Sequence, residues 1–195
     1  MGDQEFTELV SERLGVRRFR PADLAAFVNY RSDPDVARYQ SWNAPYPRAD
    51  GERLIKDMRR MHPDTPGEWF QFAITLRSTG ELIGDCGAKP SAYDPVHTQI
   101  GYTIGRAHWR RGYGIEAVRT LLGYLFDARG MHRVTASCDG RNTASMGLLE
   151  RIGMRKEGTM VQSVWAKGEW TDDVLFAMLA DEWKAPARPD GVLGH

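Results

Sequence analysis

Cysteine is almost missing from this sequence, and its scarcity excludes several architectures at once. The two present, Cys86 and Cys138, each lie in a strand-like run with no CxxC or Cys/His spacing. Neither a disulfide framework nor a zinc site is expected, and both read as free thiols. His62, His97, His108, His132 and His195 are scattered without HExxH spacing, so no metal is expected. Net charge is absent too: 26 Lys and Arg balance 26 Asp and Glu. No whole-molecule field draws the chain to nucleic acid or an anionic membrane, and any anion site must be local. No run approaches the roughly eighteen apolar residues of a membrane span. The opening MGDQEFTELV is acidic and polar where a secretory signal is basic and then apolar, and Phe6 stands where myristoylation requires Ser or Thr. A cytoplasmic protein without membrane or nucleic-acid partners is expected.

What is present is a globular mixture, 42% hydrophobic and 27% charged over 195 residues, enough for one domain with a real core. A strand ending in RLGVRRFR leads to a helix opened by Pro21, with Leu24, Phe27 and Val28 at helical spacing. A second amphipathic helix is predicted from about Ala49 to Met61. Between them YQSWNAPYP is a loop crowded with aromatics and proline. EWFQFAITLRSTGELIGDCGAK reads as a hairpin, HTQIGYTIG as a third extended run, Ala117 to Ala128 as a helix and HRVTASCD as a strand. NTASMGLLERIGM is a helix capped by Asn142 and ended by Gly153. Strands from about Met160 to Ala166 and Asp173 to Leu179 follow. From Lys184 onward KAPARPDGVLGH has too little apolar content to pack and is expected to be a flexible tail.

The chemistry concentrates in AHWRRGYGIEAV, residues 107–118. Two glycines before a helix let a phosphate approach unpaired helical N–H groups, and Arg110 and Arg111 add charge. A side chain at Gly114 is expected to project into that anion site. GYGIEA also satisfies the dinucleotide pattern G-x-G-x-x-A, with Asp139 as its acidic partner. The context disfavours NAD: RAHWRR separates strand from glycine, and about four strands precede the unit where a dinucleotide fold would open with it.

The order of elements, W-x-x-G-x-G followed by Glu-Ala, and N-x-x-S-x-x-L-x-E-x-x-G from Asn142 to Gly153 resemble the GNAT acetyltransferases of the RimJ/RimL-like branch over roughly residues 13–183. The resemblance implies an α/β fold whose mostly antiparallel sheet of about six to seven strands splays at an acetyl-CoA site, with about four flanking helices. It divides the chain into an extension (1–12), a GNAT domain (13–183) and a tail (184–195). It implies that the pyrophosphate sits on the backbone of Arg111, Gly112, Tyr113, Gly114 and Ile115. The pantetheine arm would lie between the QIGYTI and VTASCD strands against backbone of Tyr102 and Ile104. Ser145 would protonate the departing thiolate, and Asn142 would contact the pantetheine or cap its helix. Asp85 is the best-matching carboxylate for a base, with a structural role as the alternative. Tyr39, Trp42 and Tyr46 would wall the acceptor site. The chain departs from the wider pattern at Trp109, where Gln or Arg is usual, and at Gln99, where many relatives carry Glu.

The activity implied is acetyl transfer from acetyl-CoA to a primary amine, a protein or peptide amino terminus being preferred because aromatics outnumber carboxylates in the acceptor loop. A polyamine or antibiotic acceptor is an alternative, as is a non-catalytic CoA sensor. A monomer or homodimer is expected.

Overall fold

The computed structural model describes Phe6 and residues 8–184. Eight strands form one sheet: β1 (Glu8–Val10), β2 (Leu14–Arg17), β3 (Phe70–Leu76), β4 (Leu82–Pro90), β5 (His97–Ile104), β6 (Arg133–Asp139), β7 (Arg155–Ala166) and β8 (Glu169–Leu179). Their order is β1-β2-β3-β4-β5-β6-β8-β7. The described helices are α1 (Leu24–Arg31), α2 (Pro34–Ala37), α3 (Arg48–Met58), α4 (Tyr113–Gly123), α5 (Thr143–Arg151) and α6 (Ala180–Lys184), and α4 runs on through a π-turn at Tyr124–Ala128. All neighbouring strands are antiparallel except β5 and β6, which the crossover through α4 makes parallel.

Local chemistry sets the helix starts. Asp23 closes the turn before α1 by accepting from the Arg20 N–H at 2.6 Å, and its carboxylate is gripped by both terminal nitrogens of buried Arg17 at 2.8 and 2.9 Å. Asp33 caps α2 through the Asp35 N–H, and Asn142 caps α5 through the Ser145 N–H. β3 shows which helices cover which face: Gln71 accepts from Arg31 of α1, while the next residue, Phe72, packs edge-on to Tyr124 at the end of α4. Strand alternation therefore places α1 on one face and α4 on the other. The core between them is built on fully buried Phe19, Phe27, Phe70, Phe72, Ile74, Leu121, Leu122 and Phe176.

The architecture exceeds the expectation by an edge strand and two short helices. Glu8–Val10, assigned above to an extension, is β1 and pairs with β2, and Phe6 lies 4.9 Å from the Phe72 ring. The second helix stops at Met58 instead of Met61, and the last two strands reach back to Arg155 and Glu169. The expected tail lies outside the described residues apart from Lys184, the last residue of α6.

Candidate active site

β5 and β6 pair only from His97↔Arg133 to Ile100↔Ala136; beyond that point Gly101–Ile104 and Ser137–Asp139 diverge. Gly105 donates its N–H to the Ile83 carbonyl of β4 at 2.8 Å. Backbone alternation then directs the N–H groups of Ile104 and Tyr102 away from β4, into the gap. The Ile104 carbonyl on that side accepts from the Trp109 indole at 2.7 Å. Trp109 thus supplies a side-chain donor to the strand end, and Gln or Arg at the same place would also bring one. An unpaired strand edge is a ready partner for an extended ligand carrying amides.

At the open end of the gap the chain turns through Arg110 (φ 59°) and Gly112 (φ 78°, ψ 0°) into α4, whose N-terminus has no side-chain cap. The first N–H groups of α4 are left for an anion, and Arg110 and Arg111 are exposed beside them. Glu116 braces this turn by accepting from Ser11 Oγ at 2.7 Å, the Arg13 N–H at 2.7 Å and Arg13 Nε at 2.6 Å. Arg13 also reaches the Arg111 carbonyl at 2.9 Å. Burial alone would raise the Glu116 pKa, but the Ser11 and Arg13 hydrogen bonds outweigh it and hold the carboxyl below its ordinary value.

Gly114 corrects one expectation. A Cβ there would lie 2.8 Å from Leu148 Cδ1 and 3.7 Å from Ile104 Cγ1, so this glycine admits α5 against α4 and its missing side chain does not point at the anion site. The positive φ belongs to Gly112.

On the α5 face, the hydroxyls of Tyr102 and Ser145 share a 2.7 Å hydrogen bond, and Asn142 Oδ1 accepts the Ser145 N–H at 3.1 Å. Asn142 therefore caps the helix that carries Ser145. Burial pushes the Tyr102 phenol well up, against the Ser145 hydrogen bond, so it stays protonated as a donor. Sequence reasoning assigned only the backbone of Tyr102; its hydroxyl role required the packing of β5 on α5.

On the opposite face Asp85 lies in a closed cluster. It is 3% exposed, accepts from the Tyr30 phenol, and meets Arg31 Nη2 at 3.2 Å. Burial first, and the Asp85 charge second, push the Tyr30 phenol well up. A carboxylate so enclosed is a structural anchor and is not accessible to an amine, which corrects its expected part as a base. Arg31 in turn sits 4.0 Å from the Trp42 ring centroid and 5.2 Å from that of Tyr46, and its carbonyl accepts from the Trp42 indole at 3.1 Å. Trp42 and Tyr46 are thereby fixed to the core. Tyr39 stands apart from them, with the Arg141 guanidinium 5.9 Å from its ring centroid, while Lys167 of the β7–β8 turn donates to the Ala37 carbonyl. Trp69 was not foreseen: it covers the cross-strand pair Gly87 and Gly101, where a Cβ on Gly87 would meet its ring at 3.2 Å.

No group of three or more His, Cys, Asp or Glu side chains suited to a metal ion occurs among the described residues, nor does any helix long and apolar enough to cross a membrane.

Residues 13–155 match the family described as Acetyltransferase (GNAT) domain. An uncharacterized N-acetyltransferase, p20, of Bacillus licheniformis is 33% identical over 177 residues, covering 90% of this chain and 97% of that protein. The [ribosomal protein uS5]-alanine N-acetyltransferase of Escherichia coli is 29% identical over 123 residues, 63% of either chain. Among solved structures, a GNAT-family acetyltransferase from Bacillus anthracis gives a TM-score of 0.81 at 26% identity, covering 90% of this chain and 99% of that one. The match in sequence and fold, converging on the splayed strands and the glycine turn, identifies this chain as a member of the GNAT acetyltransferase family.

Proposed function

We propose that this protein transfers an acetyl group from acetyl-CoA to the amino terminus of a protein or peptide. The observation that carries the reading is the Tyr102–Ser145 hydroxyl pair standing at the splayed β5–β6 gap, between an unpaired strand edge and an uncapped helix N-terminus. The residues fit each part of the cosubstrate. The α4 N-terminus with Arg110 and Arg111 suits a pyrophosphate, and the free N–H groups of Tyr102 and Ile104 suit the amides of a pantetheine arm. A strand N–H in the gap can also donate a hydrogen bond to the thioester oxygen as negative charge grows on it. The protonated hydroxyl pair then supplies a proton to the departing thiolate.

The acceptor side supports a single amine on an apolar or peptide-like body. Its walls are Trp42, Tyr46 and Trp69, and two of its carboxylates, Asp85 and Asp139, are already paired with arginines. A polycation would need free carboxylates to offset its desolvation. The E. coli relative, named for acetylating a ribosomal-protein alanine, points the same way. Thiol release from acetyl-CoA, measured over short peptides with free amino termini, spermidine and an aminoglycoside at equal concentration, tests this. Peptides are expected to turn over fastest. Polyamine turnover at least tenfold faster than every peptide would reject the acceptor class, and no thiol release with any amine would reject catalysis in favour of CoA sensing.

A further inference from the structure

Building on the acetyl-transfer reading, we infer that Asp173 is the base that takes the proton from the attacking amine. The two faces of the gap lead to it. Cys138 of β6 lies beside the Ser145 hydroxyl and so faces α5, with the Tyr102 hydroxyl. Alternation turns Ser137 and Asp139 to the other face, and Asp173 of β8, the register partner of Asp139, joins them there. A thioester in the gap thus has proton donors on one side, where the thiolate leaves, and carboxylates on the other, where an amine can enter.

The rival acceptors on that face are occupied. Asp85 is enclosed by Tyr30 and Arg31. Asp139 accepts from the Arg141 N–H at 2.9 Å, its Nε at 2.9 Å and Nη2 at 2.7 Å, and this arginine holds the carboxyl below the usual range. Glu169 shares the same arginine at 2.7 Å. His97 bonds Thr135 Oγ1 at 3.1 Å, in the stretch where β5 and β6 are still paired and the gap is closed. Gln99, on the same face as His97, carries an amide, which does not titrate. Asp173 is half-buried and in no ion pair among the described residues.

The charged groups on the face of Asp173 are Asp139, the last residue of β6, with its partner Arg141 just beyond the strand, and Glu169 along β8; its β7 partner Met160 brings none, and neighbouring Asp172 is engaged by the Gln162 N–H at 2.8 Å. Burial raises the Asp173 pKa, opposed by the Ser137 hydroxyl and aided by the Asp139 charge. A carboxylate shifted upward is the stronger proton acceptor.

The step balances without a further reactant. The neutral amine nitrogen forms the C–N bond to the thioester carbonyl and gives one proton to Asp173, directly or through one water. The C–S bond breaks, and the thiolate takes a proton from the Ser145–Tyr102 pair. Asp173 then returns its proton to solvent, and the hydroxyl pair recovers one, so amine and thioester become amide and thiol.

The test compares wild type with D173N on the fastest peptide acceptor. The expected result is a fall in kcat of about 10²-fold, with acetyl-CoA affinity unchanged within about twofold by titration. Protonation of the acceptor amine sets the first fall of the kcat/KM profile on the acidic side; the second, steeper fall below it, where Asp173 gains its proton, is expected to disappear. In D173A, formate is expected to restore part of the lost rate. Should D173N fail to fold, D173S, smaller and still able to meet Ser137, is read the same way. A D173N or D173S enzyme with kcat within threefold of wild type and the second, steeper acidic fall intact overturns the assignment, while wild-type thiol release keeps the transfer reading standing. Absence of formate rescue, with acetyl-CoA affinity falling in parallel with kcat, marks Asp173 as structural and overturns it equally.

Discussion

Tyr102 and Ser145 meet hydroxyl to hydroxyl at 2.7 Å, joining the strand that lines the gap to the helix that closes it. Each hydroxyl is the other's nearest source of a proton. If they act as one donor, removing either should cost about as much as removing both. S145A and Y102F are each expected to lower kcat by about 10²-fold, with the double variant little worse, and acetyl-CoA affinity is expected to change far less. Steady-state kinetics with a parallel titration check this; fully multiplicative losses would make the hydroxyls independent.

Gly114 is expected to behave as a packing residue. G114V places carbon where Leu148 Cδ1 already lies, within 2.8 Å of the new Cβ, and overpacking of this kind costs about 1–3 kcal/mol. A lower melting temperature is expected, with recovery in G114V/L148A, where the clashing methyls are gone. A G114V protein of unchanged stability with lost acetyl-CoA binding would return this glycine to the anion site.

The Arg31–Asp85 pair separates structure from chemistry. D85N leaves a buried guanidinium without its counter-charge, and breaking such a pair by removing one partner costs about 3–5 kcal/mol. Denaturant midpoints should fall sharply. In whatever fraction stays folded, the pH profile of turnover should keep its shape, because the enclosed Asp85 carboxylate is out of reach of the acceptor amine.

Glu116 links stability to pH with a definite sign. Its folded pKa is depressed below the ordinary 4.5, so its contribution is full above about that pH and is lost as the pH falls through the lower folded value. E116A is expected to be destabilised by about 2 kcal/mol near neutrality, in line with hydrogen bonds to a charged group, and the gap from wild type should close under acid. Melting curves from pH 7 down to pH 3 measure it. The same variant should bind acetyl-CoA more weakly, since the turn loses its tie to Ser11 and Arg13.

Local chemistry was legible in the sequence, and contacts between distant segments were not. The Gly112 turn and the Asn142 cap announce themselves because each is set by the residue's own backbone preference or by a partner three positions away. The choice between base and anchor at Asp85 was not legible, because the residues that enclose it, Tyr30 and Arg31, stand 55 and 54 positions earlier, on helix α1. The Tyr102 hydroxyl depended on a contact 43 positions on. β1 escaped notice because three residues without a turn signal carry too little periodicity, although Phe6 beside it enters the aromatic core. Trp69 gave no signal, since the groove that receives it exists only once Gly87 and Gly101 lie side by side.

The short parallel seam between β5 and β6 divides the sheet mechanically. β1–β5 form one antiparallel plate and β6, β8 and β7 another, and only four register pairs stitch them together. An extended ligand bonded to the free edge of β5 would act as the absent rungs of a ninth strand, so its arrival would stiffen the whole platform as well as fill a slot. Amide protons of the smaller plate should exchange faster than those of the larger while the seam is open, and slow toward them once acetyl-CoA is added.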